Sequence, residues 1–433
     1  MLTTLLNAFK VKDVRKKLLY TFIMLVIIRF GSNLPIPGVN TTYFKDFFAK
    51  QTGDAFGFFN AITGGSFESL SVLALSITPY ITSSIIIQLL TIAIPALDIE
   101  DGRKKIVEYT RYLTVALALL QSSAMAIGFG RQGLLIHFGI KSVVVAVVTM
   151  TAGSAFLMWM GERITENGVG NGISVVLLLN ILASLPSDFN NLYVRFLKGQ
   201  TVAKMVVAAA IIIAFVIAMV VFTIILQDAE RRIPVQYSSK TQGRRSVGGT
   251  SSNIPLKVNT AGVIPVIFAS SLFSTPIVIG QFLQINNGSI IGEILTYMNS
   301  SMWFKPEAPK YSIGLIVYII LIILFAYFYT SITFNPLEVA NNMKKSGGFI
   351  PGIRPGKPTS DYFSKILSYI IIIGATGLII VCIIPIIISG LFNISRLSFT
   401  GTSLIIIVGV VLETIKAIES QMLVRNYRGF LLD

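Results

Sequence analysis

Lys204-Met205-Val206-Val207-Ala208-Ala209-Ala210-Ile211-Ile212-Ile213-Ala214-Phe215-Val216-Ile217-Ala218-Met219-Val220-Val221-Phe222-Thr223-Ile224-Ile225-Leu226 runs almost directly into Ala229-Glu230-Arg231-Arg232-Ile233-Pro234-Val235, with Lys240, Arg244 and Arg245 soon after. An uninterrupted apolar run of this length meets the roughly 20 residues a helix needs to cross a bilayer core. A cationic loop immediately behind it marks the cytoplasmic side. Nine more stretches read as spans, giving ten in all: 18–34, 70–95, 107–129, 142–160, 172–186, 204–226, 260–283, 312–331, 366–389 and 401–420. The chain is 53% hydrophobic and 13% charged over 433 residues, more apolar surface than a soluble domain of that size can bury. The fold class is therefore an all-α membrane protein.

Charge sets the orientation. With a cytoplasmic N-terminus, 24 Lys and Arg fall on that side, counting Arg111 and Lys416 inside span ends, against 10 on the other, counting Lys204 likewise, with Arg29 inside the first span. Both termini are then cytoplasmic, as an even number of spans requires. Anionic lipid accounts for part of the cationic face, at about 1 kcal/mol per basic residue near the surface. It does not account for loops as long as 227–258 and 332–365, which point to a large anionic partner. Five spans per half invert the second half relative to the first, the arrangement of membrane proteins whose pathway lies between inverted repeats. The first span continues into Pro35 and Pro37 without a small-residue cleavage site, so it reads as retained rather than as a removable signal.

Several local patterns bear on function. The segment Phe56-Gly57-Phe58-Phe59-Asn60-Ala61-Ile62-Thr63-Gly64-Gly65-Ser66-Phe67-Glu68 is too interrupted to span and too apolar for a solvated loop. Such backbone is tolerated at membrane depth only where protein buries it or it lines a wet cavity. It is either an interfacial turn or a re-entrant element filling a pore. Span 2 carries Ser76, Thr78, Thr82, Ser83, Ser84 and Gln88, and span 7 opens on Asn259-Thr260-Ala261-Gly262. An amide on each of two helices suits either packing glue or an interhelical hydrogen bond of roughly 1 kcal/mol. Beyond Arg29 the span interiors hold almost no ionisable residue, which argues against proton- or ion-driven pumping. His137 is read as a loop residue, and the single Cys382 as an inert core thiol. No metal-binding, nucleophile-elbow or phosphate-cradling motif is present, so neither catalysis nor a cofactor is expected.

Seven motif strings, in order, resemble the SecY family, the channel subunits of bacterial Sec protein translocases. They are Pro35-Ile36-Pro37-Gly38; Pro79-Tyr80-Ile81 with Gln88; the run from Gly161-Glu162-Arg163 to Gly172-Ile173-Ser174; Arg231-Arg232-Ile233-Pro234-Val235; the run from Pro255-Leu256-Lys257 to Ile264-Pro265; Phe349-Ile350-Pro351-Gly352-Ile353-Arg354-Pro355-Gly356; and Gly401-Thr402-Ser403-Leu404. The resemblance implies an hourglass channel of two five-helix halves around a central pore, closed by a re-entrant plug at about 56–69 and an apolar ring. By position the ring would be Ile77, Ile81, Leu177, Ile181, Ile267 and Ile406. The plug would include Phe58, Phe59, Asn60, Thr63, Gly64, Gly65, Ser66, Phe67 and Glu68. Ser83, Gln88 and Asn259 would line a lateral gate between spans 2 and 7. Arg231, Arg232, Lys240, Arg244, Arg245 and Arg354 would dock a motor or ribosome.

The implied organisation is a cytoplasmic arm at 1–17, an N-terminal half at 18–190, a C-terminal half at 191–420 and a cytoplasmic tail at 421–433. The implied partners are the SecE and SecG membrane subunits, the SecA motor ATPase, the ribosome, preproteins with their signal sequences, and anionic lipids. The implied site of action is a bacterial plasma membrane. Two other readings stay open at this point. A small-solute transporter would need a tight polar site at mid-membrane, and a scramblase or insertase would lack a sealed pore.

Overall fold

The computed structural model describes the chain except residues 1–8, 43–59, 61, 94–99, 131–132, 134, 199–201, 238–239, 243–244, 248–250, 283–288, 305–308, 393–400 and 430–433. The long apolar runs are helices, as their composition requires. These are α1 (Lys12–Gly31), α2 (Thr78–Ala93), α3 (Glu100–Phe129), α4 (Ile140–Asn167), α5 (Gly172–Leu192), α6 (Val202–Asp228) and α7 (Ile264–Phe282). They continue with α8 (Ile290–Met298), α9 (Ser312–Thr333), α10 (Pro336–Lys345), α11 (Lys357–Phe392) and α12 (Gly401–Gly429). Among the described residues, seven stretches, carried by α3 to α6, α9 with its flanks, α11 and α12, are long and apolar enough to cross a membrane.

Helices α1 to α5 pack among themselves, chiefly α2 on α3, α3 on α4 and α4 on α5. Helices α6 to α12 form a second group through α7 on α9, α9 on α11 and α11 on α12. The groups meet where α5 and α1 touch α12, and where α3 touches α7. Exposure separates the roles of the helices. In α12, 61% of the spanning window is buried inside the protein, against 6% in α6. The apolar surface of α6 is left outside the protein's own core, as a helix set against lipid or a partner would be, while α12 is walled in by protein.

Three local corrections to the sequence reading have clear causes. Span 2 was expected from residue 70, but α2 begins at Thr78. Residues 64–77 instead wind through tight turns with Leu70 at φ 45° and Ser76 at φ 51°, conformations no helix contains. Their apolar composition marks membrane depth, not helix. Span 9 was expected from 366, but α11 starts at Lys357, because Ser360, Asp361 and Lys365 are compatible with helix and incompatible only with lipid. Helix α8, between spans 7 and 8, was not anticipated. It is a short helix with Ile290, Ile291 and Ile294 exposed and its Glu293 paired to Lys310 at 2.9 Å.

The long basic loop is not irregular. Strands β1 (Glu230–Tyr237) and β4 (Ser251–Lys257) form an antiparallel pair, with Arg231 opposite Leu256 and Ile233 opposite Ile254. The short β2 (Lys240–Gln242) and β3 (Arg245–Val247) pair between them. A two-residue β5 (Gly348–Phe349) adds to the other edge of β1, giving the order β4-β1-β5. Ile233 and Val235 alternate with exposed Arg232 and Pro234, the period-two pattern of a half-buried strand. They bury with Leu256, Met343, Ile350 and Phe363, so loops 227–258 and 332–365 share one core.

Tight helix crossings depend on glycine. A Cβ on Gly172 would collide with the carbonyl oxygen of Gly161 and come within 2.7 Å of Ile164 Cβ. Gly172→Val is therefore expected to push α5 off α4 at a cost of about 1–3 kcal/mol. Thermal unfolding of the solubilised protein checks it through a lowered midpoint.

Candidate functional site

Where the two helix groups meet, apolar side chains converge from four helices and from the turn before α2. Leu177 and Ile181 of α5 and Ile406 of α12 are buried in one cluster with Val175, Val410 and Ile62. Ile81 of α2 and Ile267 of α7, both partly buried, pack against it. Five of the six ring positions are thereby in a single apolar contact. Ile77 lies apart from them, 1% exposed, in the core that Ile28, Leu157, Met160 and Val176 form inside the first helix group. Ile81 touches both clusters. The cause is the late start of α2: Ile77 precedes the helix and faces α1 and α4.

The segment expected to be a plug is a compact knot. Phe58 and Phe59 lie outside the described residues. Asn60 and Glu68 clasp each other: Asn60 Nδ2 donates to Glu68 Oε2 at 3.0 Å, and the Glu68 amide donates to Asn60 Oδ1 at 3.3 Å. Thr63 Oγ1 donates to the Asn60 carbonyl and accepts from the Phe67 amide. Gly64 and Gly65 adopt φ of 64° and 83°, the left-handed region that turns the chain back. Gly64 lies directly on α5, where a Cβ would stand 2.9 Å from Asn180 Cα. Phe67 is buried among α3 and α4 residues, and Ser66 lies buried beside it in sequence.

Two features of this knot were not singled out from sequence. Ile62 inserts into the apolar cluster beside Ile181 and Ile406. Asn180 Nδ2 donates to Ser76 Oγ at 3.0 Å, and Ser154 Oγ donates to the Ser76 carbonyl at 3.1 Å, which hold the left-handed Ser76. A buried Asn in an otherwise apolar helix was the available signal.

The polar residues expected at a lateral gate are satisfied locally. Gln88 Nε2 donates to Ser84 Oγ at 3.2 Å, Asn259 Nδ2 to the Gly262 carbonyl at 3.1 Å, and buried Ser83 to the Pro79 carbonyl at 2.7 Å. No bond joins Gln88 to Asn259. The four-residue spacing of Ser84 and Gln88 offers an in-helix partner, and Gly262 at φ 63° aims its carbonyl at Asn259. Helix α7 meets the first group along α3 and, through Ile267, at the apolar cluster that Ile81 also packs against.

On the basic face, Arg231 and Arg232 project from exposed positions of β1, with Arg232 Nε 2.8 Å from Glu230. Lys240 and Arg245 sit on β2 and β3, and Arg244 lies outside the described residues. Arg354 is exposed in a turn closed by a bond from the Ile353 amide to the Ile350 carbonyl at 3.0 Å. Buried Thr359 donates to the Arg354 carbonyl at 2.8 Å, fixing the backbone from below. Gly352 and Gly356, at φ 83° and 106°, make the bends. The β1–β5 pairing brings this turn and Arg231–Arg232 onto one platform.

Fold and site together define a multi-pass helical membrane protein with an apolar cluster where its two helix groups meet, a compact knot of chain packed into it, and a basic platform formed by its β-strands. The comparisons specify the class further. The SecY family model matches residues 71–415. The chain is 43% identical over 451 residues to the protein translocase subunit SecY of Streptomyces galbus, and 39% identical over 444 residues to that of Bacillus licheniformis, each covering 100% of both chains. The chain belongs to the SecY family. Its fold is shared with a solved protein-conducting channel, at TM-score 0.63 and 19% identity over 94% of this chain and 92% of that one. It is shared likewise with Sec61 in the canine ribosome–channel complex, at TM-score 0.65 and 18% identity over the same shares.

Proposed function

We propose that this chain is a gated protein-conducting channel of a bacterial plasma membrane, with ten spans in two inverted halves and both termini cytoplasmic. It passes unfolded preproteins outward through the constriction and releases apolar segments sideways into lipid. The observation that carries this reading is the apolar contact of Ile81, Leu177, Ile181, Ile267 and Ile406 with Ile62 of the knot seated in it. A ring of this kind excludes water and ions by dewetting, yet its side chains yield around an extended polypeptide. It offers no polar coordination for a small solute, which disfavours a transporter. A seated knot disfavours an unsealed scramblase.

Energy then comes from partners. The SecA motor ATPase and the translating ribosome dock on the basic platform, where Arg forks suit both carboxylates and RNA phosphates. SecE and SecG complete the complex, and anionic lipid contacts the same face. The experiment is reconstitution of the complex with motor and a labelled precursor: ATP-dependent protease protection of the precursor is expected, and its absence from an assembled complex would reject the reading.

Lateral opening separates the first helix group from α7. Asn259 ties the turn that opens α7 through the Gly262 carbonyl, so Asn259→Leu frees that carbonyl and loosens the turn by about 1 kcal/mol. Paired with Gln88→Leu, it is expected to change the export rate of precursors with defective signal sequences several-fold. Export kinetics in vesicles measure the effect; an unaltered rate would leave these amides with a packing role alone.

A further inference from the structure

Arg29 is the one cation inside the first predicted span, half-buried in the last turn of α1. Its Nη1 donates to the carbonyl of Gly64 at 2.8 Å, thirty-five residues away in the knot. Gly64 is in the left-handed region and lies against the α5 backbone at Asn180, which fixes where its carbonyl can point. The two Asn60–Glu68 bonds tie the ends of the knot together, with Ile62 and Gly64 between them. A single bond to Gly64 therefore restrains Ile62, whose side chain fills the constriction.

We propose that Arg29 is the positioning residue that latches the plug closed. The idea rests on the plug and constriction reading above. A charge-assisted hydrogen bond is about twice as strong as a neutral one. Arg at membrane depth is tolerated only with a polar partner or water. If the knot leaves, the guanidinium loses its acceptor and must be rehydrated, so unseating the plug and wetting the pore are linked. A bare channel resists both, and a translocating chain that displaces the knot supplies the water-filled space that Arg29 then needs. The competing role is an interfacial anchor, in which the cation only complements the C-terminal end of α1 and reaches toward headgroups.

The test uses the whole complex in proteoliposomes, in a Cys382→Ala background with cysteines replacing Ile62 and Val410, two members of the constriction cluster. Disulfide yield between them reports plug seating. Resting ion flux is measured on the same Arg29 variants without the added cysteines. Arg29→Gln is expected to lower the yield and to raise flux roughly tenfold, the scale of one charge-assisted bond. Arg29→Lys keeps the cation but shortens its reach and loses the planar fork, so it should fall between Gln and wild type. An anchor role predicts wild-type yield for Lys, and that result would overturn the latch, as would wild-type yield and flux in Arg29→Gln. An Ile181→Ala/Ile406→Ala complex run alongside separates the two ideas. If it leaks while both Arg29 variants stay sealed, only the latch fails; if it also stays sealed, the constriction reading itself fails.

Discussion

Ile181→Ala combined with Ile406→Ala is expected to make the resting channel conduct ions. Both side chains are almost fully buried, 1% and 3% exposed, and they sit where the two helix groups meet. Truncating them removes one gasket side chain from each of the two opposite groups, leaving Leu177 of α5 in place. The barrier is loss of hydration in an apolar neck, so widening the neck lets water, and then ions, pass. Each ~1.4 kcal/mol taken off that barrier raises flux about tenfold. The same truncations cost about 2–5 kcal/mol of stability apiece if the site cannot collapse, so assembly must be verified alongside. Planar-bilayer recording of the folded variant is the measurement, and conductance equal to wild type would remove these two residues from the seal.

Arg354→Glu is expected to leave the protein assembled and almost unable to respond to the motor. Its guanidinium is exposed, while Ile350 and Thr359 on either side of the turn are buried and carry the fold. Reversing the charge therefore alters the surface and spares the core shared with β1. At a docking face one reversed charge weakens engagement by a few kcal/mol at most, roughly 10- to 100-fold in affinity. Motor ATPase activity with precursor and vesicles is the readout. Full stimulation in the variant would reduce Arg354 to a contributor to the positive-inside bias.

Hydropathy located the apolar helices because lipid imposes one rule on every span, but it reported depth rather than secondary structure. That is why residues 70–77 read as helix and Lys357–Lys365 did not. The β1–β4 pair was legible in principle, in the alternation of Arg232, Ile233, Pro234 and Val235, but it was masked by the charge of the loop. Ring positions were read from family likeness alone, since an inward-facing Ile and a lipid-facing Ile look the same in sequence. Ile77 shows the limit: it stands in register with Ile81, yet a left-handed Ser76 turns it into the α1–α4 core. The contact of Arg29 with Gly64 spans a fold-dependent distance that no local pattern encodes.

The central claim is that a polypeptide threads the cluster around Ile181. It is tested most directly by arresting a precursor midway, with a single cysteine in its translocating segment and the channel's own Cys382 replaced by Ala. Cysteines placed one at a time at Ile81, Ile181, Ile267 and Ile406 should form disulfides with that segment. A cysteine at Ile217 of α6, which is 57% exposed on the least buried of the seven described candidate spans, should not. Crosslinking at Ile217 equal to that at the ring, or a protected precursor that reaches none of the four positions, would contradict the account.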